Sequence, residues 1–279
     1  MILAINYADD KYKVTQKFNS KRALRFGADK VREYSPDDLE ADFREKNNEI
    51  LNKPRGGGYW AWKPWIILDA LNLVAEGDYV VYTDSGSAFV NKMSYLLKAM
   101  QDAQTDIMVF CLTHLEKYYT KRDAFILLDC DEEKYTETPQ ICGTYIIIRK
   151  TVRTVEFVNE YLEKVQDWRI VGDDENVLGQ QNYQGFVDHR HDQSILSLLC
   201  KKHGIKPFRD PSQYGLNKEK FSVEVNRRST YPQIIESHRN PTLDSFAKLK
   251  YKKWYRFFDI DKYKMIIIGF AVKIKALVK

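Results

Sequence analysis

A chain of 279 residues with 44% hydrophobic, 13% aromatic and 30% charged residues can bury a sizeable core, and this composition excludes collagen-like, coiled-coil and disordered classes. The formal charge of +5 is unevenly placed: residues 248–279 hold ten Lys or Arg against two Asp, whereas residues 1–247 hold 34 against 37, so a mildly acidic body precedes a basic tail. Cys111, Cys130, Cys142 and Cys200 form no C-x-x-C pair and read as reduced, buried thiols; the N-terminus lacks the basic flank of a secretory signal, and no apolar run approaches the about 20 residues of a bilayer span. The expected compartment is cytoplasmic.

Ile2 to Tyr7 is a short apolar run ending in polar residues, a buried strand, and Thr15 to Phe26 follows as a helix. Ser35-Pro36-Asp37-Asp38 places a capping hydroxyl before a proline and two acids, with Leu39, Phe43 and Ile50 at helical spacing behind it. Pro64 opens a further helix whose apolar face is Ile67, Ala70, Leu71 and Val74, with Gly77 placed to end it. The β-branched and aromatic run 78–84 is a strand that leaves Asp84 at its carboxyl end. A helix at 94–104, strands at 107–112 and 141–149, and helices at 152–165 and 194–202 continue the alternation, which predicts an α/β fold with a mostly parallel sheet. Residues 168–190 are polar and without period, a length of loop that compact domains reserve for function.

Ligands of open α/β sheets bind beyond the carboxyl ends of strands, which directs attention to residues 6–10 and to Thr83-Asp84-Ser85-Gly86. A carboxylate there can meet a ribose hydroxyl or a divalent cation; it can equally satisfy its own turn. Upstream, Arg55-Gly-Gly-Gly-Tyr59-Trp60-Ala-Trp62-Lys63-Pro64 combines backbone amides, cations and tryptophan faces in one segment, although neither the Walker order nor G-x-G-x-x-G is present. Asp188-His189-Arg190-His191-Asp192 is the densest ionisable cluster. In it Asp192 is either a helix N-cap or a general base, with His191 beside it.

The ordered set GGGYWAWKPWIILDAL, GDYVVYTDSG, CGTYIIIRK and HRHDQSILSLL, spanning about residues 1–240, resembles bacterial sugar-nucleotide glycosyltransferases of the GT-A fold that build capsule and lipopolysaccharide. The resemblance implies a nucleotide-sugar donor and a glycan or lipid-linked acceptor, with Tyr7 and Ala8 against the base, and Arg55, Trp60, Lys63, Asp84, Ser85 and Gly86 along the donor. An inverting enzyme of this kind would need a base on the acceptor oxygen, for which Asp192, with His191 beside it, is the catalytic candidate. Asp84 falls on the first acid of the D-x-D motif that holds a Mn or Mg ion, and His238 is a second metal candidate. The second acid is replaced by Gly86, so the metal shell is thin, and Lys63 or Arg55 would otherwise have to neutralise the leaving diphosphate. Inverting and retaining outcomes both remain open at this stage.

The expected division is a glycosyltransferase domain at 1–247 and a tail at 248–279. Within the tail, 251–279 mixes Trp, Tyr and Lys with an amphipathic helical pattern, which suits a peripheral contact with an anionic membrane surface or a helix packed on its own domain. A non-catalytic carbohydrate-binding module is the competing reading. Nucleic-acid binding is not expected, since the body is net acidic.

Overall fold

The computed structural model describes residues 1–238 and 241–246. Met1–Pro241 forms one compact unit; of the next, starting at Thr242, the described part is a turn of 3-10 helix at Leu243–Phe246. The membrane-contact expectation falls on residues 251–279, outside the described residues. Among the described residues no helix is long and apolar enough to cross a membrane.

A six-stranded sheet runs through the first unit in the order β2-β1-β3-β6-β5-β7, formed by β1 (Ile2–Tyr7), β2 (Lys30–Tyr34), β3 (Tyr79–Thr83), β5 (Ile107–Leu115), β6 (Pro139–Arg149) and β7 (Phe208–Arg209). A two-stranded ribbon pairs β4 (Ser87–Phe89) with β8 (Ile235–Ser237). Period-2 alternation fills both faces of the sheet. Leu3, Ile5, Val80, Tyr82, Ile146 and Ile148 point into one core with the helices Trp62–Asn72, Val152–Val165 and Asp192–Lys202. Ala4, Val81, Met108, Phe110 and Ile147 point into the other, against Ala23 of the helix Lys13–Arg25 and Leu96 and Met100 of Ser94–Asp102. Burial on two faces explains why these strands read as near-continuous apolar runs.

The sheet is mostly parallel, as expected, with one exception. β6 runs antiparallel to both β3 and β5, while β1–β2, β1–β3 and β5–β7 are parallel. Apolar periodicity is blind to strand direction, so the sequence pattern could not supply that reversal. Three local expectations also shift. Ser35 and Asp38 do form a capping box, but around a 3-10 turn at Pro36–Asp38, and the helices Ala41–Lys46 and Asn48–Leu51 follow separately. Pro64 is the third residue of its helix, which starts at Trp62. Gly77, at φ 84°, serves the turn into β3, since that helix already ends at Asn72.

Candidate active site

The parallel strands β1 and β3 end side by side, and polar side chains lock the two ends together. Asn6 donates to Asn19 Oδ1 at 2.9 Å, and Asn19 donates in turn to Thr83 Oγ1 at 2.8 Å and to the Ser87 carbonyl at 2.9 Å. Ser85 donates to the Tyr7 carbonyl at 2.5 Å. These bonds draw the two strand-end segments to one edge of the sheet, where Asp84 keeps about a third of its side chain exposed. Tyr82 donates to Asp84 Oδ1 at 2.5 Å.

The glycine segment approaches the same edge. Gly56, Gly57, Gly58, Tyr59 and Trp60 all have positive φ, at 64°, 59°, 93°, 56° and 56°, so the chain makes a left-handed turn that costs roughly 1–2 kcal/mol for each residue bearing a Cβ. Glycine is required twice over. A Cβ on Gly58 would lie 2.5 Å from Leu51 Cα, and one on Gly56 would lie 2.4 Å from the Trp60 ring. The turn delivers Trp62, whose indole donates to the Gly56 carbonyl at 3.0 Å and stacks on Tyr7 at 3.7 Å between centroids.

One residue later stands Lys63, only 2% exposed. Its ammonium donates to Asp192 Oδ2 at 2.6 Å and to the Gly143 carbonyl at 3.0 Å, and lies 3.9 Å from Asp84 Oδ1. Tyr161 donates to Asp192 Oδ2 at 3.2 Å. Burial pushes the Asp192 carboxyl up to about 6 against the pull of Lys63, and the second acid, Asp84, adds to that rise. Burial alone would lower Lys63, yet Asp192 and Asp84 outweigh it and keep the ammonium charged. Two carboxylates therefore share one buried cation. Gly143 allows the close approach: a Cβ there would sit 3.1 Å from Gln193 Cβ and 3.5 Å from Asp192 Oδ2.

These groups border one cavity of about 710 Å³, within the range of small-molecule sites. Tyr7, Ala8, Arg55, Trp60 and Lys63 line it, as do Asp84, Ser85 and Gly86 from the β3 end. His191, Asp192 and His238 complete the set expected from the sequence. Their placement nevertheless differs in detail from expectation. Arg55 is not a free cation, because it grips Asp188 through two bonds of 3.0 and 2.6 Å and reaches Asp173 at 3.5 Å. Lys63 faces two carboxylates and a carbonyl. Asp192 is not an N-cap; it is the first residue of its helix, and His191 occupies the cap position without a capping side chain.

His191 is itself held at φ 52°, ψ −122°, a conformation that side chains rarely adopt and that structures keep where the surroundings impose it. Its ring stacks on Tyr59 at 4.6 Å, Nδ1 donates to the Val171 carbonyl at 2.8 Å, and Nε2 lies 3.4 Å from Asp173 Oδ1. Burial lowers its pKa and keeps the ring neutral. His189 is likewise neutral, since burial drives its pKa well down; it donates to the Ile170 carbonyl and accepts from Lys121 N–H. The long polar segment is thereby pinned beside the glycine turn. Sequence reasoning missed the roles of Tyr82, inside the predicted strand, of Tyr161, within the helix at 152–165, and of Gly143, which depends on the reversed strand.

The metal expectation has a partial counterpart. The His238 backbone N–H donates to the Gly86 carbonyl at 2.8 Å, which sets His238 beside the Asp84-Ser85-Gly86 turn on the same cavity. No group of three or more His, Cys, Asp or Glu able to hold a metal occurs among the described residues. Asp84 and His238 both border the cavity, and His238 Nε2 lies 3.3 Å from Glu236 Oε1; an ion held between them would need oxygens from the ligand to complete its shell.

No protein-family model matches the sequence, and no curated protein matches it. Among solved structures the chain is similar to the galactosyltransferase LgtC in complex with donor and acceptor sugar analogs, at 14% identity and a TM-score of 0.48, covering 88% of this chain and 91% of that one. It is also similar to mouse xyloside xylosyltransferase 1 in its apo form, at 8% identity and 0.45, covering 85% and 97%. A third match is the bifunctional WbbM glycosyltransferase, at 8% and 0.48, covering 86% of this chain and 46% of that chain. All three neighbours are glycosyltransferases. Likeness at this level assigns neither substrate nor site residue.

Proposed function

We propose that this protein is a glycosyltransferase that moves a sugar from a nucleotide-diphosphate donor to a glycan or lipid-linked glycan acceptor in surface-polysaccharide synthesis. The observation that carries the reading is the sharing of one buried ammonium, Lys63, by two carboxylates that line one cavity at the strand ends, Asp84 at 3.9 Å and Asp192 at 2.6 Å. Asp192 takes both of its side-chain hydrogen bonds on Oδ2. Oδ1 thus receives no donor among the described residues and serves as general base for an acceptor hydroxyl.

In the displacement, the acceptor oxygen forms a bond to the anomeric carbon while the bond from that carbon to the donor phosphate breaks. The hydroxyl proton passes to Asp192, and the electron pair leaves with the nucleoside diphosphate. A base placed this way supports inversion, with an oxocarbenium-like transition state by analogy with glycoside hydrolysis. Tyr7 stacked on Trp62, together with Ala8, offers a flat wall for the base, while Asp84 holds the ribose or phosphate end of the donor. Asp84 and His238 would hold a Mg or Mn ion, whose contribution when bound is to offset charge on the departing diphosphate.

The test is transfer by separate Asp192→Asn and Asp84→Asn variants, beside thermal stabilisation by UDP, GDP and their sugar esters with and without Mn. The expected outcome is a loss of transfer of about 100-fold or more for Asp192→Asn with nucleotide binding retained, and loss of both for Asp84→Asn. Full transfer by both variants removes the assignment.

A further inference from the structure

The segment that leads into Asp192 brings one more charged group to the cavity. Arg190 lies two residues before that carboxylate and borders the same space. Its backbone is fixed, since its N–H donates to the Tyr119 carbonyl at 3.0 Å and its carbonyl accepts from Gln193 N–H at 3.0 Å. The guanidinium carbon lies 4.8 Å from the centroid of the Tyr119 ring, so the side chain is held against that aromatic face. What the group lacks is an acceptor at hydrogen-bond distance. Among the described residues none takes a hydrogen bond from it, and Nε is buried without a partner. The nearest carboxylate, Asp188, stands 3.7 Å away and already gives both oxygens to Arg55.

Other arginines of this chain show what is missing. Arg122 and Arg169 each have a carboxylate within 3.0 Å, and the buried Arg209 donates to the carbonyls of Gly215, Ser229 and Tyr231. Lys11 and Arg44, which also border the cavity, are exposed, where water satisfies them. Arg190 is different: a planar cation with five donors, steadied by an aromatic ring, partly withdrawn from water and given only a 3.7 Å ion pair with Asp188, a carboxylate already held by Arg55. That combination matches the paired oxygens of a phosphate or carboxylate.

We infer that Arg190 is an anion receptor of the active site, gripping a phosphate or carboxylate group of a bound substrate. This rests on the reading of the cavity as a donor and acceptor site. Two sources share the chemistry: the diphosphate of the donor, and an acidic group on the acceptor, whether a phosphate or a uronic acid. Arg190→Gln removes the charge, and Arg190→Lys keeps the charge but loses the fork. Because the guanidinium bonds to no described residue, both variants should unfold within a few degrees of the parent.

The experiment titrates the intact chain and both variants with inorganic pyrophosphate, UDP, GDP, glucose 6-phosphate and glucuronate by calorimetry. At least one of these is expected to bind the parent and to bind Arg190→Gln at least tenfold more weakly, with Arg190→Lys between. Weakening of pyrophosphate and the nucleotides assigns the anion to the donor; weakening confined to glucose 6-phosphate or glucuronate assigns it to the acceptor. Equal affinities in parent and Arg190→Gln, or no binding of any of the five by the parent, overturn the inference. Pyrophosphate binding that depends on Arg190 without any nucleotide binding would sink the glycosyltransferase reading and leave the receptor standing.

Discussion

Glu116 and Asp192 are both buried carboxylates with a lysine ammonium at 2.6 Å, Lys201 in one case and Lys63 in the other. Around Glu116 the remaining valences are closed: Thr120 and Gln140 donate to Oε1 at 2.7 and 2.9 Å, and Ser197 joins Lys201 on Oε2. Around Asp192 one oxygen is crowded and the other is left over, a second acid stands across the shared ammonium, and a cavity opens alongside. The same kind of ion pair is thus used once to fasten the 3-10 turn Glu116–Tyr118 after β5 to the helix Asp192–Lys202 and once to keep a carboxylate charged and available. A fully satisfied buried network rigidifies; one with a spare acceptor is poised for chemistry.

The comparison is broken most directly at the lysines. Lys63→Met leaves Asp192 buried without its cation and should cost about 3–5 kcal/mol together with transfer activity, whereas Lys201→Met leaves Glu116 three neutral donors and should cost less with activity retained. Urea unfolding and transfer assays on the pair check this, and equal losses of stability would erase the distinction. The wall that opens the second site is tested next. Gly58→Ala forces a Cβ to within 2.5 Å of Leu51 Cα at φ 93° and should cost about 1–3 kcal/mol, with weaker nucleotide binding measured by thermal shift.

The smallest effect concerns protons. With Asp192 titrating at about 6, the carboxyl is protonated below that pH and cannot accept the acceptor proton, so kcat/KM should fall as pH drops through about 6. Tyr161→Phe removes a donor that favours the charged form, so the acid limb should move to higher pH. Ser197→Ala, the matching deletion beside Glu116, should leave that limb in place, and a pH–rate profile of both variants decides the matter.

The sequence pattern made the strand ends legible because apolar runs closed by polar residues mark them, and β1 and β3 lie within a residue or so of expectation. The glycine segment was equally visible as an unusual backbone, since three adjacent glycines have few uses outside left-handed turns or flexible links. What stayed hidden was pairing across the sheet. β2, with the sequence KVREY at the edge, and the two- and three-residue strands β4, β7 and β8 lack the apolar periodicity that short-range reading needs. The Arg55–Asp188 grip and the Lys63–Asp192 pair join residues 133 and 129 positions apart, and no local spacing predicts which acid will answer which base.

The four cysteines carry a practical consequence. All are buried and unpaired, and burial pushes Cys130 up to about 11 and Cys111 and Cys142 up to about 12, with Cys200 higher still. Thiolates, not thiols, attack alkylating dyes, so the folded parent should react only slowly with such reagents at neutral pH. One cysteine introduced at Val187, whose side chain is exposed on the segment ahead of Asp192, would then be the sole point of attachment and would place a fluorophore where substrate capture can be watched in real time.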